Sequence, residues 1–300
     1  MLKLKKKHLK NTAVYAFRYF ILTGLSFLIL YPIFVTFVIS VMQTSDFQNS
    51  AVRYISLNPT FENYKTVSIL LQYGKTLAES LALNIPLCLI EIFSCMLAAY
   101  GFARFNFRGN KLLFGCVIST LLVPGSIYFV PFYFQMQNYG PFGWNFLGTP
   151  VPLFLMSVCA LGVKNGLVIY ILRQHFKAYP KELEEAAQID GANSFKIFTR
   201  IMLPGAVSIA VTCFLFIFVF RWTDPTYTQI FMPDKQYIWT RVANITNDMN
   251  ILAGVAGDDH YIRAIYKNAG IILYVIPLVV LFAFSKRSLV ESVETTGLVG

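Results

Sequence analysis

The sequence predicts an all-α membrane protein. It has six transmembrane helices, both termini in the cytoplasm, and a cytoplasmic helix-turn-helix between helices 4 and 5. Three observations predict it. The chain is 56% hydrophobic and only 13% charged, against about 25% charged residues in ordinary soluble domains. Its apolar residues fall into runs of the length that crosses a hydrocarbon core, about 20 residues. Its basic residues gather at alternate ends of those runs.

The six runs are residues 17–42, 81–103, 112–136, 149–172, 201–220 and 269–285. Each carries at most one charge: Arg18 opens the first, Glu91 lies in the second and Lys164 in the fourth. The segments around 57–76 and 221–268 are too polar to span. With the N-terminus inside, 16 of the 25 Lys and Arg residues face the cytoplasm and 8 the outside, with Lys164 within a span. This divides the chain into a basic N-terminus (1–16), a transmembrane domain (17–287) and a C-terminal tail (288–300). The opening MLKLKKKHLK resembles the basic region of a secretory signal. The run that follows is long enough to cross the bilayer and has no small-residue cleavage site, so it reads as an uncleaved first helix.

Several functions are excluded on composition and spacing. The net charge of +10 sits at helix ends and is not interleaved with aromatic residues along one element, which argues against nucleic acid. The five cysteines (Cys88, Cys95, Cys116, Cys159 and Cys213) lie in apolar runs without a CxxC pair, and the three histidines are far apart. No disulfide framework or metal site is expected. Asp258-Asp259-His260 is too short a cluster for its side chains to converge on a metal. Gly74-Lys75-Thr76 lacks the upstream glycine of a phosphate-binding loop, because residue 69 is Ile69. No catalytic constellation occurs within the spans, so no enzyme is expected.

The cytoplasmic segment 178–200 has its own internal order. Pro180 suits a helix start, and Glu182, Glu184 and Glu185 complement the positive end of the helix dipole. Leu183, Ala186, Ala187 and Asp190 follow at helical spacing. Gly191 supplies a left-handed stop. Asn193 or Ser194 then caps a second helix carrying Phe195, Ile197, Phe198 and Ile201, and Pro204 stands where the fifth span begins. An amphipathic hairpin lying on lipid headgroups would carry fewer glutamates. The small-residue face suits a protein groove.

Glu185-Ala186-Ala187, three residues, Gly191, nine residues, then Ile201-Met202-Leu203-Pro204 resembles the EAA motif of permease subunits of bacterial ATP-binding-cassette importers. Leu97-Ala98-Ala99-Tyr100-Gly101-Phe102-Ala103-Arg104, Arg108-Gly109, Val123-Pro124, and Leu172-Arg173-Gln174 through Glu185 are similar to the carbohydrate-uptake group, and to its smaller maltose-type subunit. The resemblance covers about residues 75–300.

What the resemblance implies is a coupling loop seated in a cleft of a separate ATPase, which binds ATP and Mg; this chain binds no cofactor itself. Glu184, Glu185, Ala186, Ala187, Asp190, Gly191, Ile201, Leu203 and Pro204 would form the coupling segment, with Glu184 and Glu185 making polar contacts to the ATPase. The implied partners are a second, homologous permease forming a heterodimer, two ATPase copies and an extracytoplasmic solute-binding protein. The implied setting is the bacterial cell membrane and the implied cargo a sugar or oligosaccharide. The tail ending in Gly297-Leu298-Val299-Gly300 resembles one that reaches between the ATPases. A secondary transporter, a channel, or a permease for a non-sugar solute are the alternatives.

Ionisable groups inside a bilayer are costly and commonly face a partner or a polar path. Glu91 and Lys164 either pair with each other or line a path for a hydroxyl-rich solute. Arg221 and Asp224 flank Trp222 at the outer end of the fifth span, as an interfacial belt or as solute contacts; the family often has Trp-Asn where this chain has Trp222-Thr223-Asp224. Tyr128 and Tyr133, near Phe129 and Phe134, either pack or stack on sugar rings.

Overall fold

The computed structural model describes residues 2–49, 51–52, 54–162, 164–252 and 260–297. Asp258, Asp259 and the last three residues of the predicted tail lie outside the described residues. In chain order the helices are α1 (Leu2–Ser40), α2 (Thr44–Gln48), α3 (Glu62–Leu70), α4 (Tyr73–Arg104), α5 (Asn110–Ser119), α6 (Gly125–Gln137), α7 (Val151–Val158) and α8 (Asn165–Ala178). They continue with α9 (Glu182–Ile189), α10 (Ser194–Ile197), a π-helical turn (Phe198–Met202), α11 (Leu203–Gly205), α12 (Val207–Thr223), α13 (Thr226–Phe231), α14 (Ile238–Leu252) and α15 (His260–Gly297). Among the described residues the only strand-like pairing is one bridge between Tyr139 and Trp144.

Among the described residues three helices are long and apolar enough to cross a membrane: Val14–Ser40 of α1, α4, and His260–Val290 of α15. A fourth is reached if the bent pair Ser194–Gly205 and Val207–Thr223 is one span. The two other apolar runs are each broken. Residues 112–136 form α5 and α6, with Pro124 in extended backbone at the start of α6; proline lacks the N–H that would continue the ladder. Residues 149–172 form α7 and α8, parted by a turn in which Ala160 and Lys164 hold positive φ of 53° and 59°. Non-helical backbone at membrane depth is tolerated where protein or a cavity surrounds it.

The chain forms two compact units. In the first (residues 1–74 and 240–275), Val67, Leu71, Ile245, Ala269 and Leu273 make the core. Asn63 ties the end of α1 to α3, its Nδ2 donating to Ser40 O and Met42 O at 2.9 Å each. Buried Asp46 organises the loop after α2, accepting from Ser56 Oγ at 2.8 Å and Asn58 N at 2.7 Å. Those bonds hold its carboxyl below the usual carboxylate range, the Asn58 backbone N–H contributing most. Most of α1 exposes its apolar side chains, Phe20 and Ile29 among them, as a lipid-facing helix must.

In the second unit (residues 75–239 and 276–300), Leu87, Met136, Leu153, Met156, Tyr227 and Phe231 pack together. A second aromatic group joins Tyr100 to Phe176 and Phe198 at 5.9 and 5.1 Å between ring centres. It locks α8 and the π turn onto α4, so the segment after the loop starts from a fixed base.

Candidate functional site

The loop between α8 and α12 is built by local capping. Gly191 holds φ +75°. Its N–H donates to Gln188 O at 3.0 Å while the Ala192 N–H donates to Ala187 O at 2.9 Å. This paired closure satisfies the last carbonyls of α9 and needs a left-handed residue. Two residues later Asn193 Oδ1 accepts from the Lys196 N–H at 2.9 Å, capping α10. The expected helix and stop are present, and the second helix is shorter than expected, ending at Ile197 so that Phe198 and Ile201 fall in the π turn. The first helix begins at Glu182, so Pro180 precedes it.

Beyond α10 the backbone loosens into the π turn and then bends by 79° into α12. Pro204 stands at the bend without an N–H to donate, a known cause of kinks. Gly205 packs against Tyr179: a Cβ there would lie 2.5 Å from the Tyr179 hydroxyl oxygen and 2.7 Å from ring carbons. Met202 and Ala206 are buried, Ile201 and Leu203 half-buried, and Pro204 exposed.

One side chain holds the entry of the loop, from the end of α8 to the first turn of α9. Arg104, the last residue of α4, donates from Nη2 to Tyr179 O at 2.7 Å, and its Nε lies 2.6 Å from Glu184 Oε1. Both partners of this ion pair are almost wholly buried. Glu184 thus has a charge partner within the chain. Glu185, Ala186 and Asp190 are exposed and Ala187 half-buried. The loop carries large apolar side chains that none of the described residues covers: Leu183 is 47%, Ile189 87% and Phe195 67% exposed.

The charges of the spans pair differently from the expectation. Glu91 forms a buried ion pair with Arg221, not Lys164. Arg221 also donates from Nη2 to Ser157 Oγ at 2.6 Å. This joins α4, α7 and α12, and it removes Arg221 from an interfacial belt. Gly162 lies against the carboxylate, where a Cβ would meet Glu91 Oε1 at 1.7 Å. Trp222 is 2% exposed and stacks on Phe218 at 5.4 Å, so it is core and neither a membrane anchor nor a path residue. Asp224 holds the turn into α13, its Oδ1 accepting from Thr226 Oγ1 and N. Tyr133 packs on the apolar core.

Lys164 and Tyr128 do come together. They line a cavity of about 310 Å³ at the α7–α8 break, with Thr120, Gly162 and Asn165. The Lys164 ammonium lies 4.7 Å from the Phe220 ring centre, and Tyr128 shares a hydrogen bond with Tyr227. Asn165 is 4% exposed and close beside Glu91, yet neither amide atom is in hydrogen-bonding geometry with a protein group among the described residues. Asn165, Ser157, Arg104, Tyr179 and Gly205 were not legible as site residues. Among the described residues no cluster fit for a metal occurs.

Residues 92–294 match the family described as binding-protein-dependent transport system inner membrane component. The chain belongs to that family. It is 30% identical to the osmoprotective compounds uptake permease protein GgtD of Synechocystis sp., over 71% of this chain and 66% of that protein, a little under two thirds of its length. It is 26% identical to the trehalose transport system permease protein SugB of Mycobacterium tuberculosis, over 90% of this chain and 93% of that protein. Its fold is similar to a chain of a solved bacterial ATP-binding-cassette transporter involved in the import of the acidic polysaccharide alginate. That match has a TM-score of 0.69 at 18% identity and covers 91% and 96% of the two chains.

Proposed function

We propose that this chain is the permease subunit of an ATP-driven, binding-protein-dependent importer, and that its cargo is a sugar or oligosaccharide. In this reading the chain crosses the membrane six times, with both termini and the loop 178–200 in the cytoplasm of a bacterial cell. A second, homologous permease completes the path. Two ATPase subunits bind the ATP and Mg and carry out the hydrolysis, and an extracytoplasmic binding protein delivers the solute. Family membership supports this, as does the trehalose transport role of SugB.

The observation that carries the reading is the loop. An unsupported surface turn would leave its ends free. Here the two helices are capped on either side of Gly191, Arg104 clamps both Tyr179 and Glu184, and the loop leaves Leu183, Ile189 and Phe195 exposed. Uncovered apolar side chains on a capped hairpin fit a cleft in another protein. Movement of that partner reaches α12 through the 79° bend. Such transmission requires contacts that differ between two states, and a rigid lever provides them. The cavity at the α7–α8 break supplies the solute contacts: Lys164, Asn165 and Tyr128 offer a cation, an amide and a phenol to a hydroxylated ring.

The test is solute uptake and ATPase activity in proteoliposomes holding the complete transporter. Gly191→Val is expected to cut uptake at least ten-fold and make ATP hydrolysis independent of solute. Unchanged uptake with ATPase activity still coupled to solute would overturn the reading.

A further inference from the structure

A second cavity, of about 560 Å³, opens where α4 ends, α5 begins and α8 ends. Lys111, Arg173 and Lys177 line it with Asn106 and Gly109, and no carboxylate is among its described lining residues. Arg104, at the end of α4, is neutralised by Glu184, while Arg108, in the turn that follows, is exposed. The three lining cations have no such partner among the ion pairs of the described residues. Arg173 is held in place: its Nε donates to Phe102 O at 3.2 Å, and its guanidinium carbon sits 3.9 Å from the Phe114 ring centre. Gly109, at φ +88°, turns the chain into α5, whose positive dipole end adds to the same field.

The surface of α5 beside this basic pocket is apolar. Leu112 is 73% and Leu113 50% exposed, and α5 buries none of its residues. A site for a free anion needs the cations alone. Cations at the foot of an uncovered apolar helix match a molecule with an anionic head and hydrocarbon tails. We propose that this pocket seats the phosphodiester headgroup of an anionic phospholipid, with its acyl chains along Leu112 and Leu113. The inference rests on the membrane topology given above, which puts this end of α4, and the Arg104 clamp with it, at headgroup level. The lipid would then brace the 105–109 turn directly beside the loop's anchor.

The test uses the full-length chain in detergent, with retained lipid counted by native mass spectrometry and transport not involved. The probes are phosphatidylglycerol and phosphatidylcholine of the same acyl composition. The wild type is expected to prefer phosphatidylglycerol at least ten-fold. Each basic residue near a membrane surface is worth about five-fold, so Lys111→Gln with Lys177→Gln should erase the preference. Lys65→Gln with Lys235→Gln, removing equal charge elsewhere, should keep it. If the first pair fails to fold, each single variant should show its own loss of about five-fold. Glycerol 1-phosphate at millimolar concentration should not displace the lipid. The proposal is overturned if the wild type binds both lipids equally, if the Lys111/Lys177 variants keep the preference, or if glycerol phosphate displaces the lipid.

Discussion

Arg104 and Glu184 form a buried ion pair at 2.6 Å that ties the end of α4 to the first helix of the loop. Such a pair says little about net stability while intact, but removing one partner strands a buried charge at a cost of about 3–5 kcal/mol. Glu184→Ala should therefore lower the thermal unfolding temperature of the chain in detergent far more than Glu185→Ala. Glu185 is exposed, and its loss should cost at most about 0.5 kcal/mol. Replacing Arg104 and Glu184 together by Met should recover much of the loss. Equal effects at positions 184 and 185 would contradict the clamp.

Gly191 has open space around it, so its constraint is conformational and not steric. A β-branched residue at φ +75° should cost about 1–2 kcal/mol. Gly191→Asn should cost less, because asparagine tolerates the left-handed region. Gly205 is the opposite case: Gly205→Ala should disturb the packing through Tyr179, and Tyr179→Ala should relieve it. Thermal unfolding of the four variants reads both orders.

Glu91 and Arg221 are coupled to each other, while Lys164 lies over the Phe220 ring. Glu91→Gln or Arg221→Met should destabilise the chain by about 3 kcal/mol or more. Lys164→Met should cost about 1 kcal/mol and instead change the solute concentration needed for half-maximal uptake. A Lys164 variant as unstable as a Glu91 variant would restore the pairing expected from sequence.

The pH response of the loop after α2 follows from Asp46. Its carboxyl is held low by the Asn58 backbone N–H and by the Ser56 and Asn58 side chains. A depressed carboxylate stabilises the fold fully above its unfolded value, about 3.9, and the contribution fades as pH falls through the lower folded value. Hydrogen exchange at residues 44–58 should stay protected down to about pH 4 and accelerate below it. Asp46→Asn should flatten that dependence. Acceleration beginning near neutrality would contradict it.

The loop could be read from sequence because its geometry is local: a glycine stop, an asparagine cap and glutamates in a first turn each act within a few residues. The six apolar runs were legible for the same reason, as length and charge are counted along the chain. The breaks at 120–124 and 159–164 were not. The runs are long enough to span across them, and left-handed Ala160 carries no residue-type signal; only Pro124, Gly162 and the charge of Lys164 hint at them. Glu91 found Arg221 and not Lys164 because the choice depends on how α4, α7 and α12 pack. Arg104 was visible only as one more basic residue at a helix end, since its partners lie far along the chain.

The central claim is that the outer face of the loop seats in an ATPase subunit. The direct measurement is disulfide cross-linking in the assembled transporter, in a chain whose five native cysteines are replaced. Cysteine at position 189 or 195 should cross-link to a cysteine-bearing ATPase cleft, in a yield that changes when ATP is bound. Cysteine at position 142, exposed in the loop between α6 and α7, should not. Cross-linking at 142, or none at 189 and 195 in a complex that still transports, would contradict the account.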